Sequence, residues 1–433
     1  MSVTNRIECK FGIPGVLNHL HMNTDIVVIG AGAAGIAAAK YLQSNGVAYL
    51  LIEANNRVGG RAFTELMADG TPFDLGCHWM HSASINPFVS IADELGIRYE
   101  KRTGYGSTQL FRNREALSME MSDTLTEALL MDDRCIRKIW MEGKDISVYD
   151  ALDATREWSS VADYFTALNT SVDVDKVSIG DIVEYEDTNE NWPVVDGYGA
   201  LVNKWANDVP VNLNTKVRSV DWSGSGVRIE TSKGNIAAKC VILTVSTGVL
   251  GSRHIRFTPE LPILKSEAIE ALPMGNYNRI RLSVRPRSFD VDVPERVLAS
   301  SQTDLPMSLS IRPYGFDCVV GLVAGRYADW LEKAGPAASV DAVGQQLSSV
   351  FGANILQCVT GDRQSAWRGD PLSLGAYSAA TPGNFGQRSR LAKPVADKIY
   401  FAGEATSTSH FCTCHGAMLT GYRAAHESMN SLS

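Results

Sequence analysis

The stretch IVVIGAGAAGIAAAKYLQSNGVAYLLIEANNRVGGR, residues 26–61, decides how this chain folds. Its apolar start, Ile26 to Ile29, reads as a buried parallel strand. The turn Gly30-Ala31-Gly32-Ala33-Ala34-Gly35 comes at once, then an alanine-rich helical stretch to Gln43, then a second strand from Ala48 to Ile52 that ends at Glu53. Strand, glycine turn, helix, strand and an acid about 20 residues on form the βαβ unit that holds a dinucleotide. Gly30 permits the tight turn, Gly32 lets backbone approach a pyrophosphate, and Gly35 lets helix and strand pack closely. Ala33 and Ala34 open the helix, whose free N–H groups and positive dipole end suit phosphate. Glu53, with Ala54 beside it, is placed to accept from both ribose hydroxyls of the adenosine, which disfavours a 2′-phosphate.

The loop after Glu53 separates FAD from NAD. Arg57, Gly59, Gly60 and Arg61 make it basic and glycine-rich, directly behind the acid. An NAD site has no use for a second such loop, whereas an extended flavin dinucleotide passes it, with Arg61 in reach of the pyrophosphate.

Composition narrows the class further. The chain has 433 residues, 45% of them hydrophobic, enough for two cores. A net charge of −8 and a pI near 5.6 argue against a nucleic-acid partner and are compatible with a cationic substrate. Eight cysteines (9, 77, 135, 240, 318, 358, 412 and 414) contain no C-x-x-C pair, which reads as free thiols in a reducing compartment. No apolar run is long enough for a membrane span, and the first 22 residues lack the apolar core of a secretory signal. A cytoplasmic location is the expectation. Met22 directly before the first strand resembles a natural start, so residues 1–21 are expected to be an extension, either flexible or a matter of start-site choice.

No repeat, low-complexity block or Pro/Gly/Ser-rich linker divides the chain. Two further regions share the character of the first. In residues 196–250, Gly197 starts a helix, Val211 to Val217 alternates as a strand, Val227 to Ile236 forms a meander, and Lys239 to Val245 is a buried strand. Val217 is assigned to the cofactor site. In residues 398–429, a strand from Ile399 leads through Gly403-Glu404 into a helix from about Thr413. The intervening stretches differ: the first is helical and rich in acids and aromatics. The second carries strands at Arg279 to Val284 and Val319 to Ala324, with a helix near Val340 to Phe351. The expected class is α/β, with a Rossmann-like FAD-binding domain built from residues 24–76, 196–250 and 376–433. An inserted α+β substrate domain takes residues 77–195 and 251–375, and residues 1–23 form an extension.

The string Glu53-Ala-Asn-Asn-Arg-Val-Gly-Gly-Arg61 resembles the E-A-x-x-R-x-G-G-R signature of the flavin amine oxidase superfamily, which holds monoamine, polyamine and L-amino-acid oxidases. Tyr400-Phe-Ala-Gly-Glu-Ala-Thr406 resembles its Y-F-A-G-E-A-T, and Thr413-Cys-His-Gly-Ala-Met-Leu-Thr-Gly421 resembles the polyamine-oxidase string T-V-H-G-A-x-L-S-G. The resemblance covers most of residues 24–430. It implies that Gly403 and Glu404 approach the cofactor, Glu404 accepting from the ribityl chain or reaching the pyrophosphate through water. It also implies that the helix N-terminus at Thr413 and Cys414 points at the pyrimidine edge of the flavin, where its positive end suits negative charge. The close spacing of His410, Cys412, Cys414 and His415 fits neither haem nor a usual zinc site, so no metal is expected.

The same resemblance names candidate chemistry. In Gly375-Ala376-Tyr377, Ala376 stands where monoamine oxidases carry a flavin-bonded Cys, which implies non-covalent FAD. Tyr377 matches one wall of the family's aromatic cage, and Trp367, with Asp370 and Pro371, matches its W-x-x-D-P. Asp74-Leu-Gly-Cys-His-Trp-Met-His81 resembles D-L-G-A-x-W-x-H, which puts Cys77, His78 and Trp79 on the isoalloxazine and His81 in the substrate cavity. The departure is Gly275-Asn-Tyr-Asn-Arg279, where the family usually has Lys holding a water on the flavin. Arg279 keeps the charge but is planar and does not titrate, and three roles stay open for it: holding that water, stabilising reduced flavin, or binding a substrate carboxylate. In the acidic run Glu184 to Trp192, Asp187 or Glu190 is the candidate for fixing a distal ammonium. Taken together, the resemblance implies oxidation of an amine to an imine with dioxygen as acceptor. A dehydrogenase or desaturase of the same fold using another acceptor, or a flavin-bound module without chemistry, are the rivals.

Overall fold

A computed structural model of the chain describes residues 22–102, 108–112, 115–289, 293–300 and 305–432. Residues 1–21 of the expected extension lie outside these. Met22 and Asn23 belong to the first strand, in register with Ile236 and Ala237.

That strand, β1 (Met22–Ile29), runs parallel to the long strand Gly234–Leu243 on one side and to β2 (Tyr49–Ile52) on the other. Val211–Asn212 extends the parallel core beyond β2, and Ile399–Phe401 pairs with the C-terminal half of Gly234–Leu243. Ile26, Val27, Val28 and Ile29 are all at most 4% exposed, because both faces of the sheet are covered. Ile26 and Val28 pack on the side of helix α1 (Ala33–Ser44) and the C-terminal helix Cys414–Asn430, while Val27 and Ile29 face the opposite core with Val241 and Phe401. Antiparallel strands Val227–Thr231 and Val217–Asp221 continue the sheet, and Arg256–Thr258 closes that edge. The expected alternating strand over 211–217 is two strands, because the chain turns at Asn214, where φ is 53°.

A second sheet of seven strands runs Val359–Gln364, Tyr277–Val284, Cys318–Ala324, Met307–Ile311, Arg296–Ser300, Thr108–Arg112 and Glu115–Ala116. The last two come from the segment read as helical, which also supplies the helices Met119–Met141 and Ser159–Thr170. Alternation along these strands sorts the faces. Ile280, Leu282, Val297, Leu309, Val319 and Val323 pack under the helices Gly325–Ala334 and Pro336–Phe351. The opposite face carries Tyr277, Leu322, Ser308, Arg296 and Thr108, which the register aligns and which all border one cavity.

Candidate active site

The turn after β1 is shaped by contacts that only glycine allows. Gly30 has φ +103°, and a Cβ on Gly35 would stand 1.8 Å from the Gly30 carbonyl oxygen. Gly32 differs: a Cβ there meets nothing within 4 Å, because Gly32 faces a cavity. It is also the N-cap of α1 and provides no side-chain cap, so the first N–H groups of the helix stay available. Gly30, Ala33 and Ala34 border the same cavity, whereas Gly35 lies behind it in the helix–strand contact.

The cavity has a volume of about 660 Å³ and runs from this turn to the second sheet. At one end Glu53 accepts from Ala31 N–H (2.7 Å) and Asn55 N–H (2.8 Å), one bond per carboxylate oxygen, and Ala54 and Val217 are beside it on the wall. Each oxygen keeps a lone pair for a further donor. Further along, Arg61 donates to the Ala376 carbonyl (2.7 Å) and pairs with Glu404 (3.0 Å). Gly403, Thr413 and Cys414 complete that wall, with Thr413 capping the C-terminal helix through Gly416 N–H at 3.0 Å. This cradle, with open helix N–H groups, a bare Gly32 and a carboxylate at its far end, fits an extended FAD.

The expected acceptor for the ribityl chain, Glu404, is engaged by the protein itself. Its carboxylate accepts from Arg61, Ser378 N–H (3.1 Å), Ser378 Oγ (2.7 Å) and Cys412 N–H (3.1 Å). It therefore orders the wall rather than presenting a free carboxylate. Ser378 also accepts from Arg388 (3.0 Å), whose guanidinium pairs with Asp181. The run of charges Arg61, Glu404, Arg388, Asp181 crosses from the cofactor segments into the first insert. Sequence reasoning missed Ser378, Arg388 and Asp181, which lie in no local pattern.

Where the second sheet roofs the cavity, the wall is aromatic. Trp79, Trp367, Tyr277 and Tyr377 all border it. Trp367 Nε1–H donates to the Leu75 carbonyl at 2.8 Å, and the Tyr377 hydroxyl donates to the Leu168 carbonyl, so both rings are held in place. The rings of Tyr277 and Tyr377 are 5.9 Å apart and tilted by 43°. Cys77, His78 and His81 also border the cavity. Burial, followed by the charges of Arg279, His81 and Arg296, pushes the His78 imidazole well below its ordinary value. Burial likewise lowers His81, whose Nδ1 is 2.6 Å from Asn191 Oδ1. Both rings are neutral at pH 7. Burial pushes the Cys414 thiol well up, and its contact with Cys77 pulls the Cys77 thiol down.

Two candidates need correction. Arg279 does not border the cavity: its guanidinium turns to the Asp74 carbonyl and lies 5.1 Å from the centre of the Phe73 ring. A planar, longer head group reaches past the place where an ammonium would stop. Glu190 is also off the wall. Asp187 is on it, exposed, with Oδ1 accepting from Asn189 N–H at 2.8 Å. A residue without any sequence signal, Arg296, borders the cavity with its guanidinium 4.5 Å from the centre of the Trp79 ring. Among the described residues no three His, Cys, Asp or Glu side chains group as metal ligands, and no helix is long and apolar enough to cross a membrane.

Comparison with known proteins agrees with this cradle. The family model for flavin containing amine oxidoreductase matches residues 33–118 and 147–427. Lysine-specific histone demethylase 1 homolog 1 of Oryza sativa subsp. japonica is 29% identical over 92% of this chain and 52% of its own length. The chain thus spans about half of that relative. Polyamine oxidase 4 of the same plant is 28% identical over 93% of this chain and 88% of its own. Among solved structures, a double mutant from a redesign of cofactor binding in putrescine oxidase superimposes with a TM-score of 0.78 at 18% identity, covering 95% of this chain and all of that one, which shows the fold. The glycine turn, the Glu53 cradle and the aromatic roof belong together because the chain is a member of the flavin-containing amine oxidoreductase family, with sequence similarity to a polyamine oxidase.

Proposed function

We propose that the protein oxidises the C–N bond of a small amine to an imine, with dioxygen as acceptor and FAD held without a covalent bond. The observation that carries this reading is the continuity of the cavity from the Gly30–Glu53 cradle to the chamber walled by Trp79, Tyr277 and Tyr377. The Gly30–Glu53 cradle, Arg61 and the helix start at Thr413 and Cys414 would hold FAD, which would supply the two-electron oxidation of the amine, with dioxygen as the final acceptor giving hydrogen peroxide.

The residues of the chain bind and orient. The aromatic walls exclude water and direct the C–H bond of the amine, with Tyr377 fixed by its bond to the Leu168 carbonyl. His78 and His81 are neutral, and Arg279 and Arg296 are the nearby cations, so the chamber selects the unprotonated amine. A protonated amine lacks the nitrogen lone pair that the imine requires. Ala376, on the cavity wall where covalent relatives carry a Cys, offers no sulfur to the ring. Hydrolysis of the imine by water then gives the carbonyl compound and the released amine.

The displacement of Arg279 from the wall favours a second reading, a dehydrogenase of the same fold that passes electrons to another acceptor. Mixing the yellow protein with an amine under anaerobic conditions separates the two. Bleaching followed by peroxide on aeration supports the oxidase, bleaching without peroxide supports the dehydrogenase, and no bleaching with polyamines, aryl amines or amino acids defeats both.

A further inference from the structure

The substrate end of the cavity carries a cation to which the oxidation reading assigns no ligand of its own. Arg296 opens the strand Arg296–Ser300 on the face that roofs the chamber. Its neighbour across the parallel register is Thr108, and Ser308 lies on the adjacent antiparallel strand on the same face, opposite Leu298; both border the cavity. The guanidinium stacks 4.5 Å from the centre of the Trp79 ring. Stacking of this kind covers one face of the fork and leaves its N–H edge free in the plane.

The acids near Arg296 are committed elsewhere. Glu295 is paired with Arg102 at 2.7 Å, and Arg102 also pairs with Glu100. Among the described residues Arg296 itself makes no ion pair with a carboxylate; the charges that act on it are Glu295 and, less strongly, Arg102, which are paired with each other. His78 and His81 are neutral, Asp181 on the cavity wall is bound to Arg388, and the charge of Asp187 acts on His81. Arginine does not discharge itself by losing a proton. A half-buried guanidinium facing a cavity without a carboxylate partner is costly in proportion to its desolvation, and an anion would offset that cost. The distal ammonium of a polyamine would meet Arg296 with repulsion; Asp187 is the exposed acid on the wall.

The geometry points to a carboxylate-bearing amine as the substrate, its carboxylate held by Arg296 over Trp79 with Thr108 as a second donor, and its amino carbon in the Tyr277–Tyr377 part of the chamber. This rests on the amine-oxidising reading above, and it makes Arg296 a residue that determines substrate class.

Calorimetry and the shift of the flavin absorbance band test it on the FAD-loaded enzyme, with 3-phenylpropionate against its neutral amide as probes. The carboxylate is expected to bind about 10-fold or more tighter than the amide. In Arg296→Met, checked for full flavin content, the two should bind alike. Arg296→Lys, which keeps charge and bulk if Met disturbs the strand, should retain part of the preference. With substrates, kcat/KM for L-phenylalanine over 2-phenylethylamine should fall by a similar factor in Arg296→Met, mainly through KM. Equal binding of acid and amide to the parent enzyme overturns the proposal, as does a preference that survives Arg296→Met. Preferred carboxylate binding with no bleaching by either amine would uphold Arg296 as the anion site while defeating the oxidation reading.

Discussion

Asp181 and Arg388 form an ion pair at 2.7 Å with side chains 1% and 0% exposed, and this pair joins the first insert to the last cofactor segment. Asp181 Oδ2 also accepts from Ala380 N–H at 2.7 Å, and Arg388 lies 4.0 Å from the centre of the Phe411 ring. Removing one partner of a buried pair strands the other charge at a cost of about 3–5 kcal/mol. Asp181→Asn should therefore lower the denaturant midpoint strongly, and Asp181→Leu with Arg388→Met should recover much of the loss. An unchanged midpoint in Asp181→Asn would mean that the pair does not join the two parts of the chain.

Glu53 makes a prediction about cofactor retention. Each of its carboxylate oxygens accepts from a backbone N–H, of Ala31 and of Asn55. Glu53→Gln turns an amide NH2 against one of those N–H groups, a mismatch of about 1–3 kcal/mol. FAD titrated into the apoprotein should bind about 10- to 100-fold more weakly. Equal affinity would place the adenosine elsewhere.

His415 sets part of the acid sensitivity. Burial, then the neighbouring His410 and His81, lowers its pKa from 6.5 to about 3, and its Nδ1 is 3.3 Å from the Asn86 amide nitrogen, which donates to it. The unfolded chain protonates this group near 6.5 and the folded chain does not, so the stability it contributes is present above pH 6.5 and is lost as pH falls toward 3. Between pH 6.5 and 5 the loss is about 2 kcal/mol. His415→Asn keeps an acceptor for Asn86 and should flatten the decline of urea-unfolding free energy over that interval. A parallel decline in the variant would show that His415 is already exposed to protons in the fold.

Lys265 is a structural cation away from the cavity. Its ammonium donates to the carbonyls of Arg390 (2.7 Å), Leu391 (2.9 Å) and Lys393 (2.6 Å), at the end of the helix Gln387–Ala392, and lies 4.3 Å from the centre of the Phe401 ring. Burial, then Arg423 and Lys393, pulls its pKa to about 8. Lys265→Met leaves those carbonyls without a donor and should cost about 2–4 kcal/mol of unfolding free energy. Turnover per bound flavin should be unchanged at room temperature.

Much of the cofactor cradle was legible because its chemistry is contiguous. The positions from Gly30 to Arg61 lie along one strand–turn–helix–strand unit, so their spacing states their geometry, and the bare cavity-facing Gly32 and the Gly35 contact agree with it. Cys77, His78, Trp79, Trp367 and Tyr377 were found through family strings and stand on the wall. Arg279 was misplaced because a string gives the backbone position but not the direction in which a longer side chain leaves it. The strand Thr108–Arg112 lies in a segment whose sequence reads as helical, since a short strand pairing with residues far along the chain has little local pattern.

The sequence by itself determined a dinucleotide fold and the flavin class, because glycines at a turn and an acid at a strand end act through backbone geometry that neighbours in the chain set. Tertiary structure alone decided which charges meet. Asp181 reaches Arg388 and Arg296 reaches Trp79 across more than 200 residues, and whether a charge is paired or left facing a cavity depends on what folding brings beside it, not on what precedes it in the chain.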